Sequence, residues 1–217
     1  MKITGDTHGE RARFSALVAE NQGETLLIAG DCGLVFYDNA EERAFLDVLA
    51  RENVTICFVD GNHENFDALS AYPVEMWRGG KVHRIRDNIF HLMRGQFFRI
   101  EGQSIFTMGG AYSRDRAYRA EGISYWRAEL PTKAEYEEAA RNLALHRFRA
   151  DYIISHTAPR EIIRRMGREL DPHDAELTGF LEWIMYETEY KGWFFGHWHT
   201  DREIGNHRAL WFDVAEI

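Results

Sequence analysis

Thr25-Leu26-Leu27-Ile28-Ala29-Gly30-Asp31 is the stretch whose reading decides the fold. Its opening apolar run is too short for a helix and does not alternate, the pattern of a strand buried on both faces. Gly30 then lets the backbone turn closely, and a carboxylate follows where the strand stops. The same pattern recurs on either side. Lys2-Ile3-Thr4 runs into Gly5-Asp6-Thr7-His8, and Val54-Thr55-Ile56-Cys57-Phe58-Val59 runs into Asp60-Gly61-Asn62-His63-Glu64. Between the first two runs, Phe14, Leu17 and Val18 recur at helical spacing. Between the second and third, Ala44, Phe45, Val48 and Leu49 predict a helix burying that face. Strands alternating with helices predict parallel pairing by right-handed crossovers, and so an α/β fold.

Further along, the pattern changes. Val82–Ile85, Ile89–Met93, Phe97–Ile100 and Ile105–Met108 are short apolar runs separated by turn-like Asp87-Asn88 and Glu101-Gly102. They predict hairpins, so the sheet becomes mixed or a second one begins there. Residues 111–130 are irregular; Thr132 and Glu135 then have capping-box spacing at a helix start. Asp151–Ser155 predicts another buried strand. Asp171-Pro172 opens a helix whose face is Leu177, Phe180, Leu181, Ile184 and Met185, and strands are expected at Trp193–Phe195 and Ala209–Val214. With no repeat and no linker, residues 1–217 read as one domain.

Apolar residues at 45% and charged residues at 28% exclude disordered, collagen-like and coiled-coil classes. No apolar run has the length of a membrane span, and the start of the sequence has no signal-type apolar core. Two cysteines, Cys32 and Cys57, fit a reduced compartment, so the expectation is a cytoplasmic protein without a membrane partner. A net charge of −9 opposes stable binding to nucleic acid and disfavours a nuclease. Of the 26 cationic side chains only Lys2, Lys81, Lys133 and Lys191 are lysines; the rest are arginines, whose rigid fork suits phosphate.

Open α/β sheets bind ligands at the carboxyl ends of their strands. Here those ends deliver Asp6 and His8, Asp31, Asn62 and His63, His156, and His197 and His199. Singly, each has an ordinary explanation as a helix cap or a structural histidine. Together, they point to metal binding. Two carboxylates, an amide and several imidazoles exceed what one tetrahedral ion takes and suit two divalent ions sharing a bridge. Oxygen and imidazole donors without thiolate indicate manganese, iron or zinc, with manganese the first expectation. Cys32 is read as packing behind the site rather than as a ligand.

In order and spacing, Asp6/His8, Gly30-Asp31, Gly61-Asn62-His63-Glu64, His156 and Gly196-His197-Trp198-His199 resemble the signature of the calcineurin-like metallophosphoesterase superfamily. Val59-Asp60-Gly61-Asn62-His63-Glu64-Asn65-Phe66 and Gly109-Gly110-Ala111-Tyr112-Ser113 are similar to its small bacterial branch. The resemblance implies two packed mixed β-sheets flanked by helices, an αββα sandwich. It implies one ion at Asp6, His8, Asp31 and His199, and another at Asp31, Asn62, His156 and His197, with Asp31 bridging. It further implies a metal-bridging hydroxide that attacks a phosphomonoester or phosphodiester of a small molecule or nucleotide, with His63 as the catalytic residue at the leaving oxygen. The protein serine/threonine phosphatase branch extends the second motif to Gly-Asp-x-x-Asp-Arg-Gly. Here Leu34 holds the place of the second Asp, which in that branch orients the histidine, and Asp38 or Asp60 are the candidate substitutes. That branch and a non-catalytic metal-binding scaffold are the alternatives. Arg114 and Tyr112 are the expected substrate contacts, while Arg164, Arg165 and Arg168 read as a solvated face. His83, His91, His146, His173 and His207 read as structural, and the oligomeric state is left open.

Overall fold

Three short apolar strands, β1 (Lys2–Thr4), β2 (Thr25–Ile28) and β3 (Thr55–Phe58), lie side by side and parallel. The computed structural model describes residues 1–217. Helix α1 (Arg11–Glu20) joins the first pair and α2 (Ala40–Leu49) the second. After α3 (Phe66–Ser70) come β4 (Val74–Trp77), β5 (Gly80–Arg86) and β6 (Ile89–Leu92). Strand β6 pairs parallel with β3, while β5 and β4 add antiparallel. The chain then leaves this sheet. Strands β7 (Gln96–Ile100) and β8 (Gln103–Met108) form an antiparallel hairpin in a second sheet. Glu101 and Gly102, both at positive φ, make its turn. After α4 (Lys133–Leu145) that sheet grows by β9 (Tyr152–Ser155) and, past α5 (Arg160–Arg165) and α6 (Ala175–Glu187), by β10 (Gly192–Phe195). Strands β11 (Arg202–Ile204) and β12 (His207–Ala209) complete it, and β13 (Ala215–Glu216) returns to pair with β1. The two mixed sheets have the orders β13-β1-β2-β3-β6-β5-β4 and β11-β12-β10-β9-β8-β7.

Period-two alternation explains why both strand faces are apolar. Leu26, Ile28, Ile56 and Phe58 face α1 and α2, packing with Phe14, Leu17 and Leu46. Their neighbours Leu27, Ala29, Cys57 and Val59 face the other way and meet Phe98, Ile105, Ile154 and Phe194 of the second sheet. That sheet's outer face, with Phe106, Ile153, Trp193 and Phe195, packs under Leu143, Ile162, Leu177, Leu181 and Ile184 of the remaining helices. The protein is therefore an α/β fold of two mixed sheets flanked by helices.

Several expectations need correction. On α2 the buried face is Glu42, Leu46 and Leu49, while Val48 is exposed. The helix is turned because the Glu42 carboxylate accepts from the backbone amides of Phe36, Tyr37 and Asp38. The run Ala209–Val214 is not one strand: β12 ends at Ala209 and β13 starts at Ala215. The capping box at Thr132 and Glu135 is present, and Asp171-Pro172 leads through one 3-10 turn into α6.

Candidate metal centre

All seven expected ligands meet at the carboxyl ends of β1, β2, β3, β9 and β10, where the two sheets abut. Asp6, His8, Asp31 and His199 form one group, their ligand atoms all within 4.8 Å of one another. In it, His8 Nε2 lies 3.1 Å from His199 Nε2 and 4.0 Å from Asp31 Oδ2. Beside it stands a second group. His156 Nε2 is 3.3 Å from Asp31 Oδ1 and 3.1 Å from Asn62 Oδ1, and His197 Nδ1 is 2.9 Å from the same amide oxygen. Asp31 thus turns one carboxylate oxygen toward each group.

The backbone is strained at this place. Asp6, His8, Asp31, His197 and His199 all have φ between 44° and 67°, the left-handed region that non-glycine residues rarely adopt. Each such residue costs about 1–3 kcal/mol and persists only where its surroundings impose it. What imposes it here is a set of tethers. Arg13 donates to the carbonyls of Asp6 (3.0 Å) and Gly5 (2.9 Å). Buried Glu64 accepts from the amides of Cys32 (2.7 Å) and Gly33 (3.4 Å). The amide of His63 donates to Asp31 Oδ1 at 2.7 Å, and that of His197 to Asp6 Oδ1 at 3.0 Å. Gly61 lets its loop cross Asp31, since a Cβ there would overlap the Asp31 carboxylate.

Electrostatics complete the picture. Asp6 is buried and its Oδ2 has no hydrogen-bond partner; burial pushes the carboxyl up to about 7. Burial pushes His8 down to about 4 and His197 down to about 3. For His156 burial acts downward, but the charge of Asp31 and their hydrogen bond outweigh it and raise the ring to about 10. Burial also acts upward on Asp31, where His156 prevails and holds the carboxyl below the usual range. Desolvated carboxylates, one of them orphaned, among imidazoles and an amide oxygen form a donor set that fits divalent cations. The His156 Nδ1–H donates to the Ala29 carbonyl at 2.9 Å, the kind of outer contact that aims a ligating ring.

The other expected residues divide. His63 and Arg114 line the cleft over the centre, a cavity of about 270 Å³ shared with Asp31, Asn62, His197 and His199. Arg114 lies over the Trp198 ring and donates to the Glu169 carbonyl at 2.7 Å. Arg168, expected on a solvated face, lines the same cleft. Tyr112 does not: its ring stacks on His173 at 4.3 Å and lies under the Arg116 guanidinium. Cys32 is fully buried among Phe14, Leu34 and Val35, as its packing role requires. Sequence reading named Ser113 only as a hydroxyl of the stretch after the glycine pair, and missed its link to Asn62 and Glu129 altogether. The Asn62 Nδ2 donates to Ser113 Oγ at 3.2 Å, which donates to Glu129 Oε2 at 2.8 Å. This fixes which end of the Asn62 amide faces the histidines. The only hint was the hydroxyl after the Gly109-Gly110 pair.

A family model described as calcineurin-like phosphoesterase matches residues 2–201. No curated protein matches the chain. Among solved structures, phosphopantetheinyl hydrolase (PptH) from Mycobacterium tuberculosis is similar at 17% identity, over 97% of this chain and 87% of that one, with a TM-score of 0.49. At that distance nothing about its substrate transfers. No helix is long and apolar enough to cross a membrane.

Proposed function

Because the chain belongs to the calcineurin-like phosphoesterase family, we propose that it hydrolyses a phosphomonoester or phosphodiester of a small molecule or nucleotide at a dinuclear metal centre. One observation carries the reading. The Asp31 carboxylate sits between two compact donor groups, with Oδ2 toward His8 and Oδ1 toward His156. A single carboxylate placed between donor sets is what a shared bridge requires. Asp6, His8, Asp31 and His199 would hold one ion, and Asp31, Asn62, His156 and His197 the other. Two divalent ions bound there would supply positive charge that activates water near neutral pH and offsets charge developing on the phosphoryl oxygens.

The chain's own residues would do the rest. Arg114 and Arg168, on the rim of the cleft, attract and orient the anionic substrate. Glu64 and Arg13 hold the ligand loops at fixed geometry, so little reorganisation is needed at the moment of reaction. His63, in the cleft next to Asn62, stabilises the oxygen that leaves phosphorus. The protein-phosphatase alternative is disfavoured because Leu34 is packed in the core, 1% exposed, where that branch needs a carboxylate. Metal analysis of the purified, manganese-loaded protein should find close to two ions per chain. Asp31→Asn should abolish hydrolysis of a chromogenic phosphoester, whereas His63→Ala should slow it. Fewer than one ion after loading, or unchanged turnover in Asp31→Asn, would end the dinuclear reading.

A further inference from the structure

The arginine-lined cleft is not the only opening at the centre. A second cavity, of about 190 Å³, shares the His63 ring with it and is otherwise lined by His8, Gly33, Phe36 and Tyr37. His8 is one of the candidate ligands, so this slot begins at the centre itself. The two openings differ in chemistry. The cleft presents Arg114 and Arg168, whereas the slot presents two aromatic rings and neither a carboxylate nor an arginine. Asp38 and Asp60, the candidate partners of His63, stay out of it. Asp38 is exposed and paired with Arg43 at 2.7 Å, and Asp60 is buried against Arg94 and His91.

The loop between β2 and α2 carries the two rings on a fixed backbone. The Glu42 carboxylate accepts from the amides of Phe36 at 2.8 Å and Tyr37 at 2.9 Å. Asn65 Nδ2 donates to the Phe36 carbonyl at 2.9 Å. The Phe36 ring packs edge-on against Tyr37, 5.1 Å between centroids, and against Trp126 at 5.8 Å. Tyr37 is left 75% exposed. Other rings near the centre are used by the chain itself: Trp211 stacks on His199 at 5.3 Å, and Phe212 lies under the Arg13 guanidinium.

A phosphoester whose phosphoryl group lies over the centre therefore has two lined directions for the rest of the molecule. Further negative charge is drawn to the arginines. A flat π-system is drawn to the slot, where it can stack on an exposed ring. The slot is smaller than the ~300 Å³ at which sites for drug-sized ligands begin, so it suits a single ring system. We propose that the Phe36–Tyr37 slot is the subsite for the alcohol portion of the substrate and selects esters in which that portion carries a planar aromatic ring, a nucleobase or a simple aryl group. The phosphoryl end of this inference rests on the phosphoesterase reading; capture of a ring in the slot does not. Tyr37 sets the specificity. It acts by stacking away from the phosphorus, so its loss falls on KM rather than kcat.

Two measurements test this. In the metal-free protein, 1H–15N spectra are recorded with adenosine, with benzyl alcohol and with ribose. The Phe36 and Tyr37 amides should shift with at least one of the aromatic compounds and not with ribose. Tyr37→Ala should remove the shift and Tyr37→Phe should keep it. The compound that moves them tells a nucleoside from a plain aryl group. In manganese-loaded protein, the ester of that compound is compared with glycerol phosphate: AMP or benzyl phosphate, or the matching methyl diester. Tyr37→Ala should raise KM for the aromatic ester about 5–50-fold with kcat nearly constant, and leave KM for the glycerol ester nearly unchanged. Tyr37→Phe should restore the aromatic KM. No shift with either aromatic compound, or an equal rise in KM for the aromatic and glycerol esters, would overturn the proposal. Should no ester be hydrolysed by any form, the spectra still decide whether the slot takes a ring, and the phosphoesterase reading is what falls.

Discussion

Replacing Arg94 by methionine probes the buried charge that underlies the Asn62 loop. Asp60 Oδ2 accepts from Arg94 Nε at 2.8 Å and Nη2 at 2.5 Å, while Oδ1 lies 3.1 Å from His91 Nε2. The two charged side chains are 5% and 2% exposed. Burial pushes the Asp60 carboxyl up, but the Arg94 charge and the His91 contact prevail and hold it below the ordinary carboxylate range. With Arg94 gone, an ionised Asp60 would stand in the interior with one imidazole for company. Breaking a buried pair from one side costs about 3–5 kcal/mol, and protonation of the stranded carboxyl sets the lower end. An unfolding entropy of about 2.1 cal/mol/K per residue gives about 0.46 kcal/mol/K for this chain, so Tm should fall by about 7–11 °C. The double variant Asp60→Asn/Arg94→Met removes both charges and should recover more than half of that loss. Calorimetric scans of the wild type, both single variants and the double variant at pH 7 complete the cycle. A carboxyl whose native pKa is depressed contributes its full stability above its unfolded value near ~3.9 and loses it as pH falls through the native value. The Tm gap between wild type and Arg94→Met should therefore narrow below about pH 4. A drop under about 2 °C, or strictly additive single variants, would refute the reasoning.

Two further outcomes are expected. His207 is buried against Trp193 and pushed down to about 4 by burial, so as pH falls from about 6.5 to about 4 the unfolded chain takes a proton that the native one does not. Stability should drop by about 2 kcal/mol over that window, allowing for water at the ring edge, and His207→Gln should flatten this part of the curve; parallel curves would contradict it. Ser113→Ala frees the Asn62 amide to rotate, so manganese affinity measured by titration calorimetry should weaken about 10–100-fold with the fold intact. Equal affinity in that variant would remove the Ser113–Glu129 chain from the centre.

The parts of this architecture legible in the sequence were those written in local pattern. The runs at β1, β2 and β3, the Glu101-Gly102 turn and the Thr132 capping box depend on neighbours a few residues away, and all form where expected. The gathering of Asp6, His8 and Asp31 was legible for a different reason: a parallel sheet brings its carboxyl ends to one edge whatever the details. What escaped was long-range or doubly exposed. Strand β4 has Val74, Glu75 and Met76 all exposed at a sheet edge, so no buried face writes an alternation into it. The rotation of α2 depends on Glu42 serving three amides, which apolar periodicity does not register. Arg119 meets His63 across 56 residues and Ser113 meets Asn62 across 51, contacts that no spacing rule connects.

Two slabs of strand share the work of building the centre. Asp6, His8, Asp31 and Asn62 leave one sheet, and His156, His197 and His199 leave the other. Ions seated among them would rivet one slab to the other at the rim of the seam, so occupancy and the angle between the slabs become one variable. A chelator should then loosen the whole sandwich, and a packing substitution deep in the seam, at Phe98 or Phe194, should be felt at the rim as a change in metal affinity.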